Sequence, residues 1–402
     1  MVKNDIQETV TVARGLEGVS AAETSISFVD GENGQLFYQG YNIHHLAERV
    51  SHDEIIYLLW HGELPTEEQL EEFRAELIPE MKLPDDLIRW IKNVPKEAHP
   101  MNVLRISVSM LGMLDPDYGD NSPEANLKKA MRITAKVPVI VAWVHRSRND
   151  SEPGEPDLNK SLAHNFMEMF IGRELDEDEV RVVELLMLLH AEHGMNASTF
   201  TARVTASTLA DMYAAVTSAI GTLSGSLHGG ANQRVMEMLE DISNPEIVVQ
   251  YIDGLLADGK RVMGFGHRVY KVEDPRACHL RRWSGELCCS RKQFRELYEI
   301  SHKIERKVMS EKHFHPNVDF YSATVQHALG IPKDYFTAIF ASSRVVGWTA
   351  HVIEQHRDNR LIRPTSKYIG QYGRRFVPIE KRYERKASIP PSEQSDSIIS
   401  TD

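Results

Sequence analysis

Two histidines stand in glycine-rich clusters, in Ser224-Gly225-Ser226-Leu227-His228-Gly229-Gly230-Ala231-Asn232 and in Gly264-Phe265-Gly266-His267-Arg268-Val269-Tyr270-Lys271. Glycine removes side-chain bulk, so backbone and ligand can come close to the imidazole. One such histidine alone serves as readily as a capping or packing residue in a turn. Two, with Arg268, Lys271 and Arg276 nearby, point to a site in glycine-rich loops that takes an anion. A third group is Asp319 in His313-Phe314-His315-Pro316-Asn317-Val318-Asp319-Phe320-Tyr321-Ser322, where apolar and aromatic neighbours raise a carboxylate's basicity if it is buried. An aspartate ahead of a helix is also a common N-cap. Arg276, Arg344 and Arg363 are ambiguous singly, but arginine forks are what a di- or tricarboxylate requires.

Other chemistries fit less well. His193, His228 and His267 lie 35 and 39 residues apart, none belongs to an HExxH pair, and the neighbouring cations repel a divalent ion, so no metal is expected. Gly254-Leu255-Leu256-Ala257-Asp258-Gly259-Lys260 matches seven positions of a phosphate-binding loop, but Arg261 replaces the hydroxyl residue that would hold magnesium and no strand precedes it. It reads as a helix end with a C-terminal glycine. Gly264-x-Gly266 lacks the third glycine of a dinucleotide fingerprint, and there is no GxSxG elbow.

The elements that must position these residues are mostly helical. Ser25 to Gly40 alternates apolar and polar residues around Asp30-Gly31-Glu32-Asn33-Gly34, which predicts a small β-hairpin and is the one clear strand signal. Ser51-His52-Asp53-Glu54 and Thr66-Glu67-Glu68-Gln69 match capping boxes, and Ser122-Pro123 suits a cap followed by proline at the first helical position. Between Thr199 and Leu223, apolar residues from Leu209 onward recur at three- and four-residue steps, predicting one long helix that runs into the glycine-rich turn before His228. No 20- to 50-residue repeat is evident. From about residue 386 the chain is polar, carries Pro390-Pro391, and is expected to be a mobile tail.

Composition bounds the answer. The 402 residues exceed the usual size of one core, so two domains or one elaborated domain are expected. A net charge of −12 without a long basic block argues against nucleic acid as partner. Three cysteines, Cys278, Cys288 and Cys289, form no CxxC pair, which supports neither a disulfide framework nor a zinc–thiolate site and favours a reducing, cytoplasmic setting. The longest apolar run, near Val137 to Val144, is far short of a membrane span.

Five ordered segments, SLHGGAN, GFGHRVYKVEDPRA, PNVDFYS, SRVVGWTAHVIEQ and IRPTSKYIG, together with AEHGMNASTFTARV and the early GLEGVSAAETSISFVDG, resemble citrate synthases and the related 2-methylcitrate synthases from Arg14 to about Tyr383. The resemblance implies an all-α fold with a large and a small helical domain and a small N-terminal hairpin: residues 1–230 and 333–402 for the large domain, 231–332 for the small one that closes over substrates. It implies condensation of acetyl-CoA with oxaloacetate and water to give citrate and CoA through an enol(ate) and citryl-CoA, or of propionyl-CoA in the 2-methylcitrate alternative. By motif match Asp319 is the base, His228 meets the thioester oxygen and His267 polarises the ketone. His193, Arg276, Arg344 and Arg363 fall at the cationic anchors for the dicarboxylate, Arg363 reaching across a homodimer. Lys260, Arg261, Val262 and Gly266 fall in the CoA loop. No permanently bound cofactor, metal, nucleic acid or membrane is implied, and the residues Cys278 to Gln293 match no firm expectation. A non-catalytic binding protein of this fold is the reading from another class; the survival of His228, His267 and Asp319 speaks against it.

Overall fold

The computed structural model describes residues 11–242 and 244–382, so the tail expected from about residue 386 lies outside the described residues. They fall into two units, one within Met1–Glu23 and Arg363–Asp402, the other Thr24–Ile362. The first carries two short 3-10 turns, Arg14–Leu16 and Ile379–Lys381, and an edge-to-face pair of Tyr368 and Tyr372.

The unit Thr24–Ile362 is helical apart from one antiparallel sheet. Strands β1 (Ser27–Asp30) and β2 (Gln35–Tyr38) pair in the predicted hairpin, with Phe28 opposite Phe37 and Asp30 opposite Gln35. The Asp30 carboxylate accepts from Glu32 and Asn33 backbone N–H groups and so fixes the turn. A third strand, β3 (Tyr41–Asn42), was not foreseen; two residues are too few for an alternation signal.

Both expected capping boxes form, at Ser51 with Glu54 and Thr66 with Gln69, and Ser122 caps the helix Pro123–Arg148. A further box, Asp176 with Glu179, starts Glu177–His190. The long helix expected up to Leu223 is instead two, Ala197–Ala206 and Met212–Leu223. Between them Leu209 adopts φ 63° and is exposed, and Asp211 caps the second helix by accepting from the Ala214 N–H. Apolar periodicity ran across a break that the cap and the left-handed residue impose. The phosphate-loop look-alike ends the helix Val248–Ala257, with Gly259 at φ 66°, as its glycine predicted.

The helix Phe336–Arg357 lies at the centre. Every residue from Phe336 to Val352 is buried, and it packs on Pro123–Arg148, Ala197–Ala206, Met212–Leu223 and Glu177–His190. A helix buried all round has no solvent face on which to place polar groups, so Arg344 and His351 must find partners inside. Gly347 is needed for this approach: a Cβ there would sit 2.5 Å from the Ala191 carbonyl oxygen, and its N–H donates to that same oxygen at 3.1 Å. A second group of helices, Ala231–Asp241, Ala277–Ser290, Arg295–Lys312 and Val318–Ala328, pack on one another. Among the described residues no helix is long and apolar enough to cross a membrane.

Candidate active site

The segment joining Glu177–His190 to Ala197–Ala206 forms the floor. Tyr38 of β2 donates to the Glu192 carbonyl at 2.7 Å, and Ser27 of β1 donates to the Glu192 carboxylate at 2.9 Å, so the hairpin holds this segment in place. Glu192 is fully buried, and His351 donates to the same oxygen at 3.2 Å. Burial works against its charge, but His351 and Arg344 prevail and hold it below the usual glutamate range.

His228 lies in a turn closed by its own N–H on the Gly225 carbonyl and by the Gly229 N–H on the Leu223 carbonyl. A Cβ on Gly229 would meet that Leu223 oxygen at 2.5 Å, so this position needs its glycine. The Ser198 backbone N–H donates to His228 Nε2 at 3.3 Å, with Ser198 Oγ 2.8 Å from the same nitrogen. A backbone N–H can only donate, so Nε2 is the acceptor and the ring proton sits on Nδ1. Trp348, donating to Ser198 Oγ at 3.1 Å, fixes the serine. Burial, helped by Arg344, pushes His228 down to about 4.

His267 is set by the same logic with the nitrogens exchanged. The N–H groups of Val269 and Tyr270 both donate to its Nδ1, at 3.0 and 3.1 Å, which leaves the proton on Nε2. Burial and Arg276 push this ring also to about 4. Its loop is pinned from two sides. The Lys271 N–H donates to the Gly31 carbonyl in the hairpin turn, and the Gly266 N–H donates to the His315 carbonyl.

Asp319 enters through that second seam. Asn317 donates to the Gly264 and Gly266 carbonyls and caps the helix Val318–Ala328, accepting from the Asp319 N–H at 3.0 Å. The capping role open to Asp319 therefore belongs to Asn317, and the Asp319 carboxylate accepts no hydrogen bond among the described residues. Burial raises it to about 6, against the opposing pull of Arg276. It is a basic carboxylate with nothing attached to it.

Arg276 is buried and forked onto Asp274, with Nε to Oδ1 at 2.9 Å and Nη2 to Oδ2 at 2.8 Å, while Asp274 also accepts from the Val318 N–H at 3.1 Å. Arg276 Nη1 and both Nη atoms of Arg344 make no hydrogen bond among the described residues; Arg344 uses Nε on the His190 carbonyl at 2.6 Å. Burial pushes Arg344 down to about 10, which leaves it charged at neutral pH. His193 lies between Tyr270, 3.1 Å from its Nε2, and the His267 ring, 5.2 Å between centroids. Burial and Arg276 hold it well below the usual histidine range, so it is a neutral imidazole here and not one of the charges; the two buried arginines supply those.

His193, His228, His267, Arg276, Arg344 and Asp319 thus lie in one electrostatic neighbourhood. Of the residues expected to hold CoA, Lys260 is exposed and paired with Asp258 at 3.0 Å, Arg261 is exposed, Val262 is buried and Gly266 has φ 75°. Arg363 is exposed and belongs to the other unit. Sequence reasoning missed Ser198, Tyr270 and Asp274 as orienting groups, although all three stand inside the quoted motifs.

A reaction that uses Asp319 as its base has a defined pH profile. The basic form is lost as pH falls through about 6, while the two imidazoles stay neutral down to about 4. The rate constant kcat/KM is expected to fall tenfold per pH unit below about 6. A profile flat to pH 5 would remove Asp319 from that role.

The family profile described as "Citrate synthase, C-terminal domain" matches residues 15–365. Citrate synthase 2 of Bacillus subtilis is 48% identical over 93% of this chain and 100% of its own. The 2-methylcitrate synthase 2 of Corynebacterium glutamicum is 41% identical over 93% of this chain and 99% of its own. The ternary complex of carboxymethyl coenzyme A and oxaloacetate with citrate synthase from Thermoplasma acidophilum superposes with a TM-score of 0.87 at 32% identity, covering 92% of this chain and all of that one.

Proposed function

The chain belongs to the citrate synthase family, and we propose that the site around His228, His267 and Asp319 condenses acetyl-CoA with oxaloacetate and water to give citrate and CoA. The observation that carries this reading is the pair of pinned tautomers. Backbone N–H groups occupy Nε2 of His228 and Nδ1 of His267, so each ring offers an N–H from its other nitrogen. Two neutral donors and one free, basic carboxylate are what an enolisation followed by attack on a ketone requires.

The Asp319 carboxylate removes a proton from the thioester methyl, and the charge gathering on the thioester oxygen meets His228 Nδ1–H. A thioester methyl is a very weak acid, so this donor must already be in place. The methyl carbon then bonds to the ketone carbon of oxaloacetate while His267 Nε2–H stabilises the forming alkoxide. Water cleaves the C–S bond of citryl-CoA, releasing citrate and the thiol of CoA. The free guanidinium edges of Arg276 and Arg344 hold the two carboxylates, with His193 as a hydrogen-bond partner. Lys260, Arg261, Val262 and Gly266 line the CoA-binding loop. A 2-methylcitrate synthase would use the same residues on propionyl-CoA.

Residues 231–332 form the smaller domain, which closes on the remainder to keep the enolate and citryl-CoA from bulk water. The mutual packing of Ala231–Asp241, Ala277–Ser290, Arg295–Lys312 and Val318–Ala328 supports this division. The enzyme works as a homodimer in the cytoplasm, with Arg363 reaching the site of the partner. Mixing inactive Arg363→Ala and Asp319→Ala chains under subunit exchange is then expected to restore activity, because a mixed dimer holds one site with both wild-type groups. No recovery in verified mixed dimers would place Arg363 in its own chain's site or outside the site.

The reaction itself is tested by product analysis. Acetyl-CoA and oxaloacetate should give citrate and free CoA one to one. CoA release that continues without oxaloacetate would mark a plain thioesterase and overturn the proposal.

A further inference from the structure

Apart from the site above, one cluster among the described residues brings together groups that bind metals and that no motif connects. His44, on the short helix Ile43–Leu46, places Nδ1 2.9 Å from Nε2 of His279, a residue 235 positions later in the helix Ala277–Ser290. Cys278 precedes His279, and one ring nitrogen of each histidine and the Cys278 sulfur all lie within 4.8 Å of one another. On the far side of the His279 ring, Nδ1 lies 3.2 Å from the Glu48 carboxylate. Glu48 accepts from that nitrogen, so the lone pair of His279 is on Nε2 and points into the cluster.

We propose that His44, His279 and Cys278 form a binding site for a divalent ion of the zinc class. Two imidazoles and a thiolate are ligands that such an ion favours over harder cations. The Glu48–His279 contact is the outer-shell carboxylate that orients a metal-bound imidazole. Ligand atoms around one tetrahedral zinc, at about 2.0–2.3 Å from it, stand roughly 3.4–3.7 Å apart, so the two nitrogens must separate slightly and the sulfur swing in. Those are side-chain movements at exposed and half-buried residues. On binding, the His44 proton moves from Nδ1 to Nε2, which frees Nδ1 as a ligand, and the proton of the Cys278 thiol passes to solvent. A water completes the fourth position. Glu273 acts on both His44 and Cys278 but is paired with Arg281, which also acts on Cys278, while Arg282 is engaged by Glu48.

Cys278 follows Arg276 by two residues, and Arg276 is the residue at which the helix Ala277–Ser290 begins. An ion at this cluster therefore ties the start of that helix to the segment after the β-hairpin.

The test uses the untagged, chelator-treated full chain titrated with Co²⁺, whose thiolate complexes show a sulfur-to-metal charge-transfer band. One equivalent per chain is expected to bind with such a band, and Zn²⁺ should abolish it by displacement. The band should vanish in Cys278→Ser and persist in Cys289→Ser. The affinity for Zn²⁺ should fall at least tenfold in His44→Gln and in His279→Gln. Metal-free turnover and melting temperature of these variants should match the wild type. Absence of a thiolate band in the wild-type chain, its survival in Cys278→Ser, or Zn²⁺ affinity unmoved by both histidine substitutions would each overturn the proposal. None of the metal-binding readouts depends on citrate formation, so this inference and the proposed reaction fail separately.

Discussion

Asp319→Ala is expected to lower kcat by about 10²- to 10⁴-fold while oxaloacetate binds nearly as in the wild type. The carboxylate accepts no hydrogen bond among the described residues and the helix cap is Asn317, so its removal leaves no partner unsatisfied and no helix end open. Burial is what raises its basicity, which means the ionised group is held in the folded chain at a cost. Sign and size then separate two roles. A structural aspartate would lose stability on truncation, whereas this one should melt at the wild-type temperature or slightly above it. Oxaloacetate affinity by calorimetry, kcat by CoA release and the melting temperature together check the prediction. A variant with near-normal turnover would remove Asp319 as the base.

Arg276→Leu is expected to fail in the opposite way, through both binding and stability. Arg276 and Asp274 are buried together, and removing the arginine strands an aspartate in the interior at about 3–5 kcal/mol. Asp274 also holds the Val318 N–H at the start of the helix that carries Asp319, so the loss reaches the base as well. Oxaloacetate affinity should fall together with the denaturant midpoint. The double replacement Arg276→Leu with Asp274→Leu removes the stranded charge and should recover part of the stability but none of the affinity. If the single variant kept its affinity, Arg276 would be a structural partner of Asp274 and no anchor for substrate.

Much of this was legible in the chain because local signals and global packing agree. The turn Asp30–Gly34, the caps at Ser51, Thr66 and Ser122, and the histidine-bearing turns at Gly229 and Gly266 depend on residues close in sequence, and each formed as expected. The Ala197–Leu223 region misled for a physical reason: apolar spacing continues through Leu209, but Asp211 captures the Ala214 N–H and starts a new helix. What no spacing could reveal is long-range. The contact of Ser198 with His228, the fork of Asp274 under Val318, and the meeting of His44 with His279 depend on chain segments that only the fold brings together. Ordered motifs supplied the roles expected of His228, His267 and Asp319; the backbone contacts of the two rings supplied the tautomers on which the proposed roles rest.

The most direct test of the central claim is a paired measurement of CoA release, with oxaloacetate fixed and acetyl-CoA or propionyl-CoA varied. A citrate synthase should show the higher kcat/KM with acetyl-CoA and need oxaloacetate for either donor. A higher kcat/KM with propionyl-CoA would contradict that reading and make the chain a 2-methylcitrate synthase built on the same three residues.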